Sequence, residues 1–414
     1  MIMLNSKPLI IGLSHLGQIF SVGWASKYGK CSVFDTNNER LNAFKEGNLA
    51  KEERFLISSY KKSKNKISFL KDKKEILSYK NIFITIDTPI DHVGKPDYEY
   101  LFEFILNLKP CFPQGSNIII YSQVYPGFSR RLLKDGFVDR KDISLVYMVE
   151  TLRLGNALHE FKYPEKIIFG IDKNKLPQIL NKFSCKKFIF NYETAEIYKA
   201  AVNIYLFFSV SFANLIDNFC RENNSSYQDL VAPLRLDKRI GKYSYIQASL
   251  GISGGHLERD INSIENNFNH DISKKIIYYL KKNDQNRINL LKKKIKKISL
   301  NQTIGNILWV GASYKKEAFS ESNTPLSKYI FKNKNIQQLF VYDSFFNLKK
   351  KKYKIIKNLN EFNYKKALIV FNYASLKDIK IIKRIEAKFN CAIIDISISS
   401  ALRKIIKDSI NIYD

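Results

Sequence analysis

The chain has 414 residues, 45% of them apolar and 29 of them Phe, which is too apolar for disorder and too long for one core; two or three domains are expected. A formal charge of +29 would suit an anionic partner, yet the basic residues run along the whole length beside abundant Asn, Ile, Tyr and Phe, the profile of an A+T-rich coding sequence. No zinc finger, RNP-type aromatic segment or basic-region heptad occurs, so nucleic acid is not the expected partner, while a small anionic ligand suits the charge.

In chain order, KPLIIGLSHLGQIFSVGWASKYGKCSVFDTN reads as a buried strand, a Gly-rich turn, a helix and a second strand ending at Asp35. NIFITIDTP and SNIIIYSQVYPG add apolar strands with helical stretches between them, a pattern that predicts a parallel sheet with ligands at the carboxyl ends of its strands. From Thr194, TAEIYKAAVNIYLFFSVSFANLIDNFCREN predicts a long helix whose apolar residues are too continuous for a solvent-facing element, hence a buried spine. The basic run LKKKIKKISL, Leu291 to Leu300, reads as a solvated helix end or linker. A second alternating unit follows through NILWVGASYKK, IQQLFVYDS, KALIVFNYAS and CAIIDIS, which could share the architecture of the first. The expected division is residues 1–190, a Rossmann-type dinucleotide-binding domain; 191–298, a central long-helix domain; and 299–414, a Rossmann-like α/β domain.

Cys31, Cys111, Cys185, Cys220 and Cys391 lie far apart without CxxC spacing, so neither a disulfide framework nor a zinc ribbon is expected, and a reducing cytoplasm fits. There is no signal-type apolar core, and VNIYLFFSVSFANLI from Val202 reads as too short and too interrupted for a membrane span. A soluble cytoplasmic protein without membrane insertion is the expectation.

Gly12-Leu13-Ser14-His15-Leu16-Gly17 stands between strand and helix, with Asp35 ending the next strand, which is the context of a dinucleotide fingerprint. Gly12 permits the tight turn, the pyrophosphate rests on the helix N-terminus, and the acid takes ribose hydroxyls. Ser14 replaces the middle glycine; its Cβ narrows the approach and its hydroxyl could donate to phosphate. Asp35 would repel a 2′-phosphate, which favours NAD over NADP. Lys199 and Asn203 are four apart, hence on one helix face, where an ammonium and an amide suit a developing oxyanion; a snorkelling Lys beside a capping Asn fits the spacing as well. Glu150 reads either as a site carboxylate or as a surface acid after a strand. His256 follows the glycines of GISGGHLERD and reads either as a proton-transfer group or as a hydrogen-bonding filler. His15, His92, His159 and His270 are scattered and no HExxH motif occurs, so no metal is expected.

The order of these segments resembles the UDP-glucose/GDP-mannose dehydrogenase family over nearly the whole chain. IIGLSHLGQIF, VFDTNNERLNAFKEGN, IDTPID, YSQVYPGFSR, VETLRLGNALHEFKYPEKIIFG, TAEIYKAAVNIYLFFSVSFANLIDNFC, LDKRIGKYSYIQASLGISGGHLERD, WVGASYKKEAFSESNTPLS and VYDS carry the resemblance, each weak alone and strong in this order. The resemblance implies NAD as cofactor, a nucleotide-activated hexose oxidised twice at C6, a homodimer through the central helix around Tyr205 to Phe212, and a role in surface-polysaccharide synthesis. It implies cofactor contacts at Gly12, Ser14, Leu16, Gly17, Asp35, Thr88, Pro89, Ser122 and Gln123. It assigns Lys199 and Asn203 to the oxygen at C6, Asp260 to the loop aspartate and Glu150 to hydrolysis. Substrate contacts are implied at Glu150, Arg153, Leu154, Lys199, Asn203, Arg239, Gly251, Gly254 and Lys315.

The family's loop carries a cysteine that traps the aldehyde and passes through a thioester. Aligned without a gap, His256 stands in that cysteine's place; aligned with one deletion, it stands just before it, and either way the thiol is missing. Gln123, Glu258 and Ser322 also depart from the family's Thr, Pro and Arg. Imidazole is a poor nucleophile for this purpose, so four-electron oxidation is not expected. Two expectations follow: an NAD-dependent oxidoreductase on a nucleotide sugar without the thioester step, or an inactive relative that binds NAD, nucleotide sugar or a partner.

Overall fold

A computed structural model describes all residues except 1–5, 51–52, 90–95, 173–174, 268, 303, 314–323, 333–337, 346–347, 349–352, 398–401, 403–404, 407–408 and 413–414. Inside helices it describes only the backbone of 255–256, 259, 263, 266–267, 300–302 and 331–332. The chain divides into two units, Met1–Val202 and Asn203–Asp414.

In the first unit the strands are β1 (Leu9–Ile11), β2 (Cys31–Phe34), β3 (Ile67–Phe69), β4 (Asn81–Ile84), β5 (Asn117–Ile120), β6 (Ser144–Met148), β7 (Lys166–Gly170) and β8 (Lys186–Phe190). They form one sheet in the order β3-β2-β1-β4-β5-β6-β7-β8, parallel except where β7 runs against β6. The order reverses direction at β1 and β4, so a crevice opens at their carboxyl ends. The central strands are apolar runs because helices cover both faces. These helices are α1 (His15–Lys27), α2 (Asn38–Glu46), α3 (Leu56–Ser63), α4 (Tyr98–Leu108), α5 (Phe128–Arg131) and α6 (Ala157–Lys162). On one face Phe20 and Trp24 of α1 meet Phe83, Tyr121, Phe161 and Phe183; on the other Leu101 and Ile105 of α4 meet Ile82, Ile118 and Phe128. Gly23 has no room for a side chain, since a Cβ would lie 2.3 Å from Phe161.

Helix α7 (Tyr192–Glu222) carries the chain into the second unit, where α8 (Tyr227–Leu236), α9 (Gly255–Asn267), α10 (Asp271–Asn286) and α11 (Ile288–Gln302) follow. The strands there are β9 (Ile307–Val310), β10 (Leu339–Tyr342), β11 (Lys354–Ile355), β12 (Leu368–Phe371), β13 (Ala392–Asp395) and β14 (Ile410–Asn411), with α12 (Pro325–Lys332) and α13 (Leu376–Phe389) between them. Their order, β11-β10-β9-β12-β13-β14, all parallel, repeats the arrangement of the first six strands of the first unit.

Two expectations for the helices are corrected. The basic run from Leu291 is neither linker nor helix end but the body of α11, because Ile288, Leu291 and Ile295 are spaced to bury one stripe while the lysines take the other. Helix α7 is not wholly buried: Phe207, Val210, Ala213 and Cys220 are inside, whereas Tyr205, Phe208, Phe212, Leu215 and Phe219 form an exposed stripe at spacings of three and four. At 31 residues α7 is also long and apolar enough, by length and composition, to cross a membrane, contrary to the reading from Val202. Three of its buried polar side chains are met by protein: Glu196 by backbone amides, Asn203 by Asp260 and Asp217 by Arg287.

Arg287 fastens the second unit. Fully buried, it donates to Asp217 Oδ2 at 2.6 Å, Asn218 Oδ1 at 2.6 Å and the Ser249 carbonyl at 3.0 Å, joining α7, α11 and the segment before Gly251. Removing Arg287 takes from the buried Asp217 its contact at 2.6 Å, leaving that charge with Arg221 at 3.0 Å, and leaves Asn218 and the Ser249 carbonyl without this donor. Arg287→Met is therefore expected to lower stability by about 3–5 kcal/mol, read as a shifted guanidinium unfolding midpoint.

Candidate active site

The turn after β1 is shaped by its glycines. Gly12 has φ +100°, and a Cβ on Gly17 would lie 1.7 Å from the Gly12 carbonyl, so α1 packs on the turn only with glycine there. Leu16 is buried beside it. Asp35 is 4% exposed and accepts the Leu13 amide at 2.7 Å and the Asn37 amide at 2.8 Å, with Arg40 Nη1 at 3.4 Å. Ser14 precedes α1 without capping it; its Oγ accepts the Asp87 amide at 3.1 Å, leaving the first-turn amides of α1 for an anion. Thr88 Oγ1 donates to the Gln123 carbonyl at 2.7 Å, Pro89 accepts the Asp97 amide, and the buried Ser122 donates to the Ile84 carbonyl. These residues therefore gather at the carboxyl ends of β1, β4 and β5. A glycine cradle that a side chain would fill, and a helix N-terminus without a side-chain cap, fit a dinucleotide.

Beyond β6, Glu150 accepts the Leu152 amide and Lys199 Nζ at 3.2 Å; both side chains of that pair are about four-fifths buried, at 17% and 20% exposed. Arg153 does not face this pair. Its guanidinium, 78% exposed, is held by Glu160, and Leu154 is half-buried in the following turn. Glu196, one turn before Lys199, is buried and accepts the Gly127 amide at 2.5 Å and the Ser129 amide at 2.8 Å. Burial pushes its carboxyl above the usual range.

In the second unit Asn203 Nδ2 donates to Asp260 Oδ2 at 2.5 Å, and both residues are buried. Gly251 and Gly254 have φ +95° and +88°. A Cβ on Gly251 would meet Asp284, which accepts the Ile252 amide at 2.7 Å and whose carboxyl burial pushes up. His256 is the second residue of α9; its side chain lies outside what is described, as does all of Lys315. Arg239 is 88% exposed and paired with Asp237 at 2.6 Å. Cys220 is buried in the core about 25 Å along α7 from Asn203 at roughly 1.5 Å per residue. Among the described residues no three His, Cys, Asp or Glu gather as a metal would require.

Sequence reasoning missed Glu53, Glu196 and Asp284, each a buried acid that accepts backbone amides far away in sequence. No local spacing marks such residues. The amide that each one accepts is fixed only by the fold.

A doubly wound sheet, a glycine turn at the switch point and an acid ending the second strand define a dinucleotide-binding protein. Residues 6–184 match the NAD-binding domain and residues 193–285 the central domain of the UDP-glucose/GDP-mannose dehydrogenase family, and the chain belongs to that family. Its first unit is thus an NAD-binding domain. The chain is 27% identical over 252 residues to a UDP-glucose 6-dehydrogenase of Rickettsia prowazekii (strain Madrid E), covering 58% of this chain and only 57% of that relative's length. It is 26% identical over 400 residues to a UDP-glucose 6-dehydrogenase of Campylobacter jejuni, covering 90% and 96% of the two chains. Among solved structures a UDP-D-ManNAc dehydrogenase from Pyrococcus horikoshii matches with a TM-score of 0.80 at 18% identity, over 94% of each chain, a likeness of fold.

Glu196 supplies a pH test. Its folded carboxyl binds a proton more readily than the unfolded chain does, so its contribution to stability is full below the ordinary carboxyl range and lost as pH rises through the raised folded value. The stability difference between wild type and Glu196→Gln, from denaturant unfolding, is expected to favour wild type more at pH 4 than at pH 8.

Proposed function

We propose that the chain is an NAD-dependent oxidoreductase of a nucleotide-activated hexose whose chemistry does not pass through a thioester. The observation that carries this reading is the presence of two largely covered pairs, Lys199 with Glu150 and Asn203 with Asp260, in a chain whose GISGGHLERD segment contains no cysteine. NAD, when bound, accepts a hydride from the carbinol carbon. Gly12, Ser14, Leu16, Gly17 and Asp35 would hold it, with Thr88, Pro89, Ser122 and Gln123 along the crevice. Lys199 is presented as a cation whose position Glu150 fixes, and Asp260 fixes the Asn203 amide; one turn apart on α7, they suit an oxygen whose charge develops as the hydride leaves. The hydroxyl proton passes to His256, or to Lys199 once that ammonium has given up its own proton. Without a thiol the aldehyde has no covalent hold, so the product is the two-electron one; an epimer forms only where the transient carbonyl stands at a secondary carbon and the hydride returns to its other face.

A substrate role is proposed for Arg239, Gly251, Gly254, Leu154 and Lys315, and a cytoplasmic setting in surface-polysaccharide synthesis. A binding protein without turnover is the second reading. It is favoured by Arg153 and Arg239, which are both held by neighbouring acids. Incubation with NAD and a panel of UDP- and GDP-hexoses decides between them. NADH or an altered sugar supports the enzyme, ligand-shifted melting without turnover supports the binder, and neither removes both. His256→Cys is expected to move an active chain toward the uronic acid, with NADH per sugar rising toward two; a wild type that already makes the acid would refute the proposed chemistry.

We also propose a homodimer through the exposed stripe of α7, with the central segment 191–298 as its seat, since adjacent aromatic and aliphatic side chains favour a covered surface. Phe212→Glu is expected to halve the mass seen in sedimentation equilibrium.

A further inference from the structure

Outside the residues assigned above, one buried acid touches two of their loops. Glu53 has a fully buried side chain. Its Oε1 accepts the Gly155 amide at 2.7 Å and its Oε2 the Ala157 amide at 3.1 Å, at the start of α6. His15 Nε2 lies 3.2 Å from the same Oε1, as an electrostatic contact rather than an aligned hydrogen bond. A carboxylate removed from water persists only where donors and cations surround it, so these three groups hold Glu53 and Glu53 holds them.

The two ends of this bridge matter. His15 is the first residue of α1, beside the amides on which a dinucleotide pyrophosphate rests. Gly155, at φ +85°, closes the loop that starts at Glu150, and that loop is tightly wired: Glu150 takes the Leu152 amide, and Glu160 takes the backbone and side chain of Arg153. A shift of Glu53 is therefore passed along a short, cross-bonded segment to the acid that pairs with Lys199.

We propose that Glu53 is a positioning residue that couples dinucleotide binding, through His15, to the loop bearing Glu150 and hence to the Lys199–Glu150 pair. A pyrophosphate docking on α1 brings a second anion to the imidazole, which then stands between phosphate and carboxylate and draws the Glu53 side of the bridge into register. Glu53 as a mere cap of α6 would leave His15 without influence on the loop. The inference rests on dinucleotide binding at the glycine turn, not on turnover.

The test is NADH binding by fluorescence titration together with amide hydrogen exchange at Gly155 and Ala157, in wild type, His15→Ala, His15→Gln and Glu53→Gln. His15→Ala removes a side chain that is 30% exposed and leaves both backbone bonds of Glu53 in place, so the variant should still fold, as a cooperative melting transition would show. Its NADH affinity should fall about tenfold, within the range of ordinary site-to-site coupling, and His15→Gln should recover part of it. NADH should slow exchange at Gly155 and Ala157 in wild type and not in His15→Ala, while Glu53→Gln should speed that exchange even without ligand. Equal NADH affinity in wild type and His15→Ala overturns the proposal, as does NADH that leaves the two amides unchanged in wild type. A wild type that binds no NADH overturns the dinucleotide site and the coupling together.

Discussion

A carboxylate ending the second strand and accepting an amide next to a left-handed glycine is the constraint on which both units are built. In the first unit Gly12 donates to Phe34, Leu13 to Asp35 Oδ2 and Asn37 to Asp35 Oδ1. In the second, Gly311 at φ +86° donates to Tyr342, Ala312 to Asp343 Oδ2 and Phe345 to Asp343 Oδ1. The strand order around the two turns is the same. Each acid, Asp35 buried and Asp343 partly so, is held by backbone donors that this turn supplies, so the acid and the glycine support each other. The copies then diverge. Tyr373 donates to Asp343 at 2.5 Å and accepts the Ser313 amide, and burial beside that acid pushes its phenol up strongly. The first-unit turn instead leads into a helix whose N-terminus has no side-chain cap, as suits a dinucleotide.

Much of this was legible in the sequence because it depends on short-range chemistry. Glycine at Gly12, an acid at Asp35 and apolar four-residue strands are local demands of the turn and the parallel sheet, and they survive as a readable string. The eight-strand width was not legible: β6, β7 and β8 continue the sheet past the expected strands, and β7 turns against its neighbour. Alternation cannot report which edge a strand joins. The exposed stripe of α7 was hidden for a related reason. Apolar residues around the whole helix look the same whether a chain's own core or another surface covers them.

The partners of the charged residues were illegible too, and they change how the site reads. Arg153 and Arg239 were expected at substrate, yet each has a carboxylate within seven positions that holds its guanidinium at the surface. Exposed pairs of this kind are worth little, about 0–1 kcal/mol, so they do not prevent either arginine from turning to a phosphate. Lys199 and Asn203 differ. Their partners come from 49 and 57 residues away, and both pairs lie largely inside the protein. Such pairs cost the fold desolvation, which a site without use for them would not need to bear.

That contrast bears on the missing thiol. Had the whole site decayed, the buried polar pairs would be the costliest parts to keep, since apolar replacements are often as stable or more so. Instead the glycine cradle, the acid at Asp35 and both pairs persist, while the departures fall at His256 and Glu258 of the GISGGHLERD loop and at Ser14, Gln123 and Ser322. A cysteine is needed only after the first hydride has gone, whereas the cradle and the pairs serve the first transfer. That pattern supports the proposed reading, in which this chain's residues serve the earlier of the two oxidations.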